Sequence, residues 1–339
     1  MMDSQGISRY PKESFMDAHS REEFQELLSH TSRSFSLGIM GLENPLQDEV
    51  CLGYLICRIF DTYEDTVDIS PDLRRLCLEH SAEILENLDH SDRLESLLAV
   101  WDDLHRFEEL WPDGKLDQWE KKLLQAGARV WREIANCSPE TRQAFQSSLR
   151  DMILGMIVEV DRRQMKKDRL PRSLPETDEY CYAVAGTVGC LLTKLFRGQR
   201  ALPVGTEIDR EGIEFGKALQ LVNILKDFHK DWKEGRCYWP DLELPVTKLS
   251  PRPSSEILEG IFESLRAQFD RYLVSARSYV HRIDPTRKDL RFFCEFPLKM
   301  AEATLAKAAS DMSWLREGGT FKVSRLEVAQ ILGSVLSQS

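Results

Sequence analysis

The stretch from Leu219 to Pro240, LQLVNILKDFHKDWKEGRCYWP, opens apolar and then sets Asp227 and Asp231 one helical turn apart. Residues at i and i+4 share a helix face, so both carboxylates can address one object. Asn223 extends the polar line by a turn, Lys226 lies beside it, and Gly235 ends the pattern ahead of Arg236 and the pair Tyr238-Trp239. Carboxylates with cations alongside, on an otherwise apolar helix, suggest a metal-bridged anion more than a solvated surface. Acidic pairs at this spacing are common on exposed helices, so the reading needs a second acidic cluster to face it.

That cluster is Asp61-Thr62-Tyr63-Glu64-Asp65, at the C-terminal end of a segment whose Leu52, Leu55, Ile56 and Ile59 recur at helical spacing. Asp61, Glu64 and Asp65 share a face, with Arg58 one turn earlier and Tyr54 one turn before that. Acids at a helix C-terminus oppose the macrodipole, so something must compensate, and a divalent cation would do so. Two such clusters suit a diphosphate held by Mg²⁺, which binds through one or two carboxylates plus substrate phosphates. Arg and Lys beside it would neutralise a departing diphosphate, and an apolar helical interior would shelter a hydrocarbon tail and a carbocation from water.

Size and composition agree. The chain has 339 residues, 42% hydrophobic and 30% charged, enough for one large domain of globular character. Its net charge of −11 argues against nucleic-acid binding. Eight cysteines show no metal spacing and read as reduced core residues, which favours a cytoplasmic setting. No secretory signal and no membrane span are predicted. None of His19, His30, His80, His90, His105, His229 and His281 has metal-ligand spacing, and His229 is expected to be exposed, facing away from the motif aspartates.

Along the chain, residues 1–18 read as an irregular lead-in and 19–339 as a single all-α domain around a central cavity. A capping box at Ser20 and Glu23 marks a first helix start. Helical patterns follow through 46–68, from Pro71, and over 93–110, 116–135 and 139–165, broken at Asn44-Pro45, at Trp111 to Gly114 and at Ser138-Pro139. A turn-rich stretch near 168–177 leads into a small-residue helix, EYCYAVAGTVGCLLTKLF, suited to walling a cavity. After the opening stretch and a Pro-rich loop from Pro240 to Pro253, helices are expected at 254–283, 287–310 and 324–337. Trp101, Trp111, Trp119 and Trp131 read as packing residues, Glu159 and Asp161 as structural, and WDDLHRFEEL as a solvated helix face.

Five segments, in order and nearly spanning the chain, resemble the squalene/phytoene synthase family of head-to-head prenyl transferases. They are SRSFSLGI (32–39), YLICRIFDTYED (54–65), YCYAVAGTVG (180–189), NILKDFHKDWKEGRCYWP (223–240) and FCEFPLKMAEATL (293–305). The last, and the Tyr-Trp-Pro ending of the fourth, look closer to squalene synthases than to phytoene synthases. The resemblance implies that Asp61, Glu64 and Asp65 form a first metal-binding motif, and Asp227 and Asp231 a second, with Asn223 beside them. It further implies that Arg58, Arg236 and Tyr54 bind diphosphate with Lys226 nearby, that Ser32, Arg33 and Phe35 form an N-terminal substrate motif, and that Tyr180 assists proton transfer. Val188, Gly189, Gln220 and Phe293 match cavity-wall positions, and Lys322 and Arg325 match basic residues for NADPH phosphates.

The implied activity is condensation of two farnesyl diphosphates, with Mg²⁺ (or Mn²⁺) and NADPH, to squalene. Stopping at dehydrosqualene, or using geranylgeranyl diphosphate to give phytoene, is the alternative. A non-catalytic assembly factor of the same fold is an alternative of another class, and the retained acidic motifs count against it. The implied chain is a monomer or homodimer, with peripheral membrane contact for release of an insoluble product. Departures are Lys226 where arginine is usual, Lys230 where an acid is common, Thr66 for a third acid, and Leu298 for glutamine.

Overall fold

The helix α3 (Leu46–Asp65) is buried along nearly its whole length, and the other elements are arranged around it. A helix apolar on every side can only be satisfied inside a protein. Its two early acids are buried too: Arg21 pairs with Asp48 at 3.3 Å, and the Thr141 hydroxyl donates to Glu49 at 2.7 Å. In the computed structural model, the structure describes residues 15–32, 35–66, 69–105, 116–164, 172–234, 236–242, 254–317 and 321–338.

Around α3 lie α1 (Ala18–Thr31), α2 (Phe35–Met40), α4 (Pro71–Glu86), α5 (Ser91–Leu104), α6 (Gln118–Asn136) and α7 (Pro139–Gln164). The chain continues through α8 (Leu174–Cys181), a π-helical turn (Tyr182–Gly186), α9 (Thr187–Gly198) and α10 (Thr206–Lys233). It closes with α11 (Ser255–Arg282), α12 (Lys288–Ser310), α13 (Ser313–Glu317) and α14 (Arg325–Gln338). The expected all-α class is borne out; among the described residues the only extended pairing is an isolated bridge between Arg172 and Pro240.

Local rules account for most boundaries. Ser70 accepts from the Leu73 N–H with Pro71 at the first helical position, and Asp117 and Glu120 form a reciprocal capping box on α6. The expected box at Ser20 is not what starts α1. Asp17 caps that helix instead, accepting from the N–H groups of His19 and Ser20, and the Ser20 hydroxyl itself donates to Asp17. The Trp111 break and residues 1–14, 106–115 and 243–253 lie outside the described residues. So does Gly235.

Two apolar clusters form the core. In the larger, Trp101, Trp131, Phe60 and Tyr63 meet tilted or edge-on, at centroid separations of 6.2–6.3 Å. The Trp101 indole donates to the Leu124 carbonyl at 3.1 Å, and His105 is buried beside it, so these two residues of WDDLHRFEEL face the core while Asp102 and Asp103 between them are exposed. Trp119 is half-buried and stacks on His30 at 3.5 Å. The smaller cluster stands on the Leu219–Pro240 stretch, where Trp239 packs on Phe228 at 4.3 Å and donates to the Ile224 carbonyl. His229 is buried here, 2.6 Å from the Trp314 carbonyl, which corrects the expectation of an exposed ring. All eight cysteines are free thiols, and six are buried.

Glycines set the closest approach in the fold. A Cβ at Gly189 would lie 2.0 Å from the Gly212 carbonyl oxygen, and one at Gly216 would lie 2.1 Å from that of Ala185. The π turn and α9 therefore cross α10 backbone to backbone, which no larger residue allows. Gly216→Ala should lose about 1–3 kcal/mol of stability through overpacking. Gly260→Ala, in open space on α11, should be neutral or gain up to about 1 kcal/mol. Urea titration separates the two; equal shifts would contradict the crossing.

His105 gives a pH test. Its Nδ1 lies 2.7 Å from the Trp101 carbonyl, which can only accept, so the proton sits there and Nε2 accepts from the Tyr63 hydroxyl. Burial lowers its pKa from 6.5 to about 4, the Trp101 bond opposing. The unfolded chain therefore binds the extra proton between those values, and stability is full above about pH 6.5 and lost as pH falls toward 4. The effect is at most roughly 3 kcal/mol. The wild-type urea midpoint should fall more from pH 7 to pH 5 than that of His105→Gln; parallel falls would remove His105 as the cause.

Candidate active site at the ends of two acidic helices

An apolar cavity of about 240 Å³ runs between α3, α9, α10 and α12. Its polar end is made by Tyr54, Arg58 and Asp61 from α3, and by Gln220 and Asn223 from α10. Phe35, Val188, Gly189 and Phe293 lie on its wall, together with Val184 and Ala185 of the π turn. Helical spacing along α3 produces the polar end directly, because Tyr54, Arg58 and Asp61 follow one another at four and three residues. Gly38 of α2 lies so close to Phe293 that a Cβ there would sit 3.1 Å from the ring, which holds α2 against the wall.

The first motif divides at its helix end. Asp61 is half-buried at the cavity, and loss of water contact pushes its pKa up to about 7, with Arg58 opposing and Asp65 adding to the rise. Glu64 is buried below it and accepts from the Tyr238 hydroxyl at 3.3 Å, while its backbone carbonyl accepts from Arg74 at 3.0 Å. Asp65 is exposed and pairs with Arg236. Arg58 pairs with Glu120 of α6 at 3.1 Å. Two arginines thus meet charge at this helix end, Arg58 from α3 itself beside Asp61 and Arg236 from a distant segment on Asp65.

On α10, Asn223 is exposed, Asp227 is half-buried and Asp231 is buried. Lys226 reaches Asn223 Oδ1 at 3.1 Å and Asp227 at 3.5 Å. Burial pushes the Asp231 carboxyl up to about 7 against the pull of Arg236, with Asp227 and Asp65 raising it further. Arg236 joins the two motifs: its guanidinium is buried and pairs with Asp65, with Asp231 at 2.9 Å and with Glu234 at 2.5 Å.

Tyr180 is half-buried beside this junction rather than on the cavity wall, one turn ahead of Val184. Its ring stacks on Tyr238 at 4.5 Å and 19°. Burial, then the nearby Glu64, raises its pKa well above the usual phenol value, so it stays protonated at neutral pH. Ser32 accepts from the Phe35 N–H at 3.1 Å and so helps to start α2. Arg33 lies outside the described residues. Lys322 and Arg325 are exposed, before and at the start of α14, and neither lines the cavity.

Whether the acids fit a divalent cation is a question of donor chemistry. Among the described residues no three His, Cys, Asp or Glu side chains converge on one point. The oxygen donors suit Mg²⁺, which needs only one or two carboxylates per ion beside phosphate, and two of them are short of positive charge. Residues with no site role in the sequence reading also build the site: Glu120 behind Arg58, Arg74 behind Glu64, and Arg172 with Glu159, which reads as structural in the sequence, behind Tyr180. None repeats at helical spacing with the motif it supports, so periodicity carries no trace of them.

The sequence profile of squalene/phytoene synthase matches residues 28–327. The chain belongs to the squalene/phytoene synthase family. It is 28% identical over 284 residues to the squalene synthase of Bos taurus, covering 82% of this chain and 61% of the relative. The chain thus spans about three fifths of the length of the curated relatives it matches. A structure of TcSQS with the ligand BPH1237 superimposes with a TM-score of 0.70 at 22% identity, covering 94% of this chain and 89% of the other. A dehydrosqualene synthase in complex with a ligand gives 0.55 at 20% identity, over 94% and 97%. These structures share the family fold.

Arg236→Met should cost roughly 1–3 kcal/mol, because Asp231 is left buried without its counter-charge while Asp65 and Glu234 reach water. Adding Asp231→Asn should recover part of that loss. Denaturation of the single and double variants checks it, and additive losses would show that the two side chains are not coupled.

Proposed function

We propose that the protein condenses two prenyl diphosphates head to head, with farnesyl diphosphate as the substrate. The observation that carries this reading is the apolar cavity whose polar end is shared by the two acidic helices, Asp61 on one side and Asn223 on the other. A tail fits the apolar wall, and a charged head fits the junction. Asp61 and Asp65 with Glu64, and Asp227 and Asp231 with Asn223, would hold Mg²⁺, which supplies the positive charge that draws electrons into a leaving diphosphate.

The chain's own residues do the rest. Arg58 and Arg236 stand where released diphosphate charge needs cations, as planar forked donors that act best in a site closed to water. Tyr54 is held at the cavity by its hydroxyl, which donates to the Thr31 carbonyl at 3.0 Å. Phe35 and Phe293 present aromatic faces that stabilise a cation in the cavity. In the first step the carbon–oxygen bond to one diphosphate breaks, and the alkene of the second substrate attacks the cation. A C–H bond then breaks, its electron pair closes a cyclopropane, and the proton passes to the released diphosphate with the Tyr180 hydroxyl assisting. The product is presqualene diphosphate, a cyclopropylcarbinyl diphosphate.

Similarity to squalene synthases supports a second half-reaction in which NADPH hydride gives squalene. The residues expected to hold NADPH phosphates, Lys322 and Arg325, are exposed and do not line the cavity, so no step is routed through them. Their placement is the observation favouring the second reading, a product formed without reduction. For the setting of the reaction, no helix among the described residues is long and apolar enough to cross a membrane.

Incubation with farnesyl or geranylgeranyl diphosphate and Mg²⁺, with and without NADPH, followed by product identification, tests the proposal. Farnesyl diphosphate should be consumed, with squalene appearing only when NADPH is added; dehydrosqualene in both arms would select the second reading. Asp61→Asn and Asp227→Asn should each lower turnover on the order of 100-fold or more. Consumption of neither diphosphate would sink the enzyme reading, and unchanged function in both variants would favour a helical scaffold.

A further inference from the structure

Behind Tyr180 lies an ion pair that the condensation as described does not use. Arg172 and Glu159 are 6% and 5% exposed, and Arg172 Nη2 lies 2.5 and 2.7 Å from the two Glu159 carboxylate oxygens. Taking two charges out of water is expensive, and a pair of well-packed apolar residues is often as stable. Stability alone is therefore a poor reason for this pair to be here.

Its surroundings supply another. The guanidinium carbon lies 5.4 Å from the ring centroid of Tyr180 and 5.3 Å from that of Tyr238, within cation–π range of both. Tyr238 is fixed independently: its hydroxyl donates to Glu64, and its carbonyl accepts from the Thr177 hydroxyl at 3.1 Å. The backbone of Arg172 is fixed as well, since its carbonyl accepts from the Asp241 N–H at 2.6 Å within the bridge to Pro240. Tyr180 is the one member of the group held only by its ring. Among the described residues its hydroxyl has no hydrogen-bond partner, and the side chain is half-buried. The group thus fixes the plane of the phenol and leaves its O–H to meet something else.

We propose that Arg172, anchored by Glu159, is a positioning residue that holds the Tyr180 ring for proton transfer. This rests on the role given to Tyr180 above. Arg172 itself touches no reacting atom; it acts by fixing the plane and height of the phenol, where a displacement of about 1 Å can cost 100-fold.

The test uses the full chain with farnesyl diphosphate and Mg²⁺, with protium or deuterium at the carbon that loses its proton. Arg172→Met should lower kcat on the order of 10- to 100-fold, with KM changed by less than about threefold. It should also enlarge the deuterium isotope effect, because C–H cleavage becomes the slow step. In a Tyr180→Phe background the same substitution should cost little more, since nothing remains to be positioned. An equal fold-loss in both backgrounds, or an unchanged isotope effect, would overturn the positioning role while leaving Tyr180 in place. Wild-type turnover in Tyr180→Phe would overturn the proposal together with the reading of Tyr180 beneath it. Should Arg172→Met fail to fold, Glu159→Gln keeps the guanidinium, loosens its anchor, and is read by the same three comparisons.

Discussion

A single guanidinium, Arg236, sits out of water between carboxylates from helices far apart in the chain, Asp65 on α3 and Asp231 on α10. Neither acid is placed by its own helix alone; each is held against the other's helix by the shared cation. The segment that delivers Arg236 explains the aromatic residues after it. From Arg236 to Leu242 the chain is non-helical, so its side chains are not bound to the helix period. Arg236 and Tyr238 accordingly reach the end of α3, at Asp65 and Glu64, while Trp239 turns into the core beneath α10. The arginine, the tyrosine and the tryptophan form one strap across two helix ends.

What the strap closes over depends on small residues. Gly189, Gly212 and Gly216 bring α9 and the π turn onto the backbone of α10, and Val184 and Ala185 add little side-chain volume on the side facing the interior. Two backbones in contact cannot also fill the space beside them, so the bulk that closes the cavity comes from elsewhere: Phe35 of α2, Phe293 of α12 and Phe215 of α10. A π turn at this place fits the same logic. The Thr187 N–H reaches five residues back to Tyr182, and the wider turn lets the chain pass from the Tyr180 stack to the glycine crossing without a break.

The helices were legible because burial imposes a period, and the boundaries because Pro, Ser and Asp act locally. Ser20 misled for an instructive reason: a hydroxyl and a carboxylate competed for the same cap, and Asp17 took both the backbone N–H groups and the Ser20 hydroxyl. His229 misled because α10 is covered on the side that a helical wheel leaves to solvent, by Trp314 from a segment 85 residues on. The motif aspartates could be read because they sit three and four residues apart. Arg172, Arg74 and Glu120 could not, and Glu159 reads only as structural, since a partner contributed by another segment leaves no periodic mark on either sequence.

The two acidic halves also differ in a way that spacing hides. Asp227 has a cation on its own helix, Lys226, which also bonds Asn223, and it is half-exposed. The cations beside Asp61 and Asp231 are shared with other acids: Arg58, a turn earlier on α3, pairs with Glu120, and Arg236 pairs with Asp65 and Glu234. Burial outweighs those shared cations, and both carboxyls are pushed up to about 7. Added positive charge is therefore worth most at Asp61 and Asp231, one at the cavity and the other at the strap. Lys230, although it occupies a position next to Asp231 in sequence, is exposed and contributes least among the groups acting on that carboxyl. The loss of an acid at position 230 is thus a change at the solvent side of α10, and the deficit of charge that defines the site lies on its buried side.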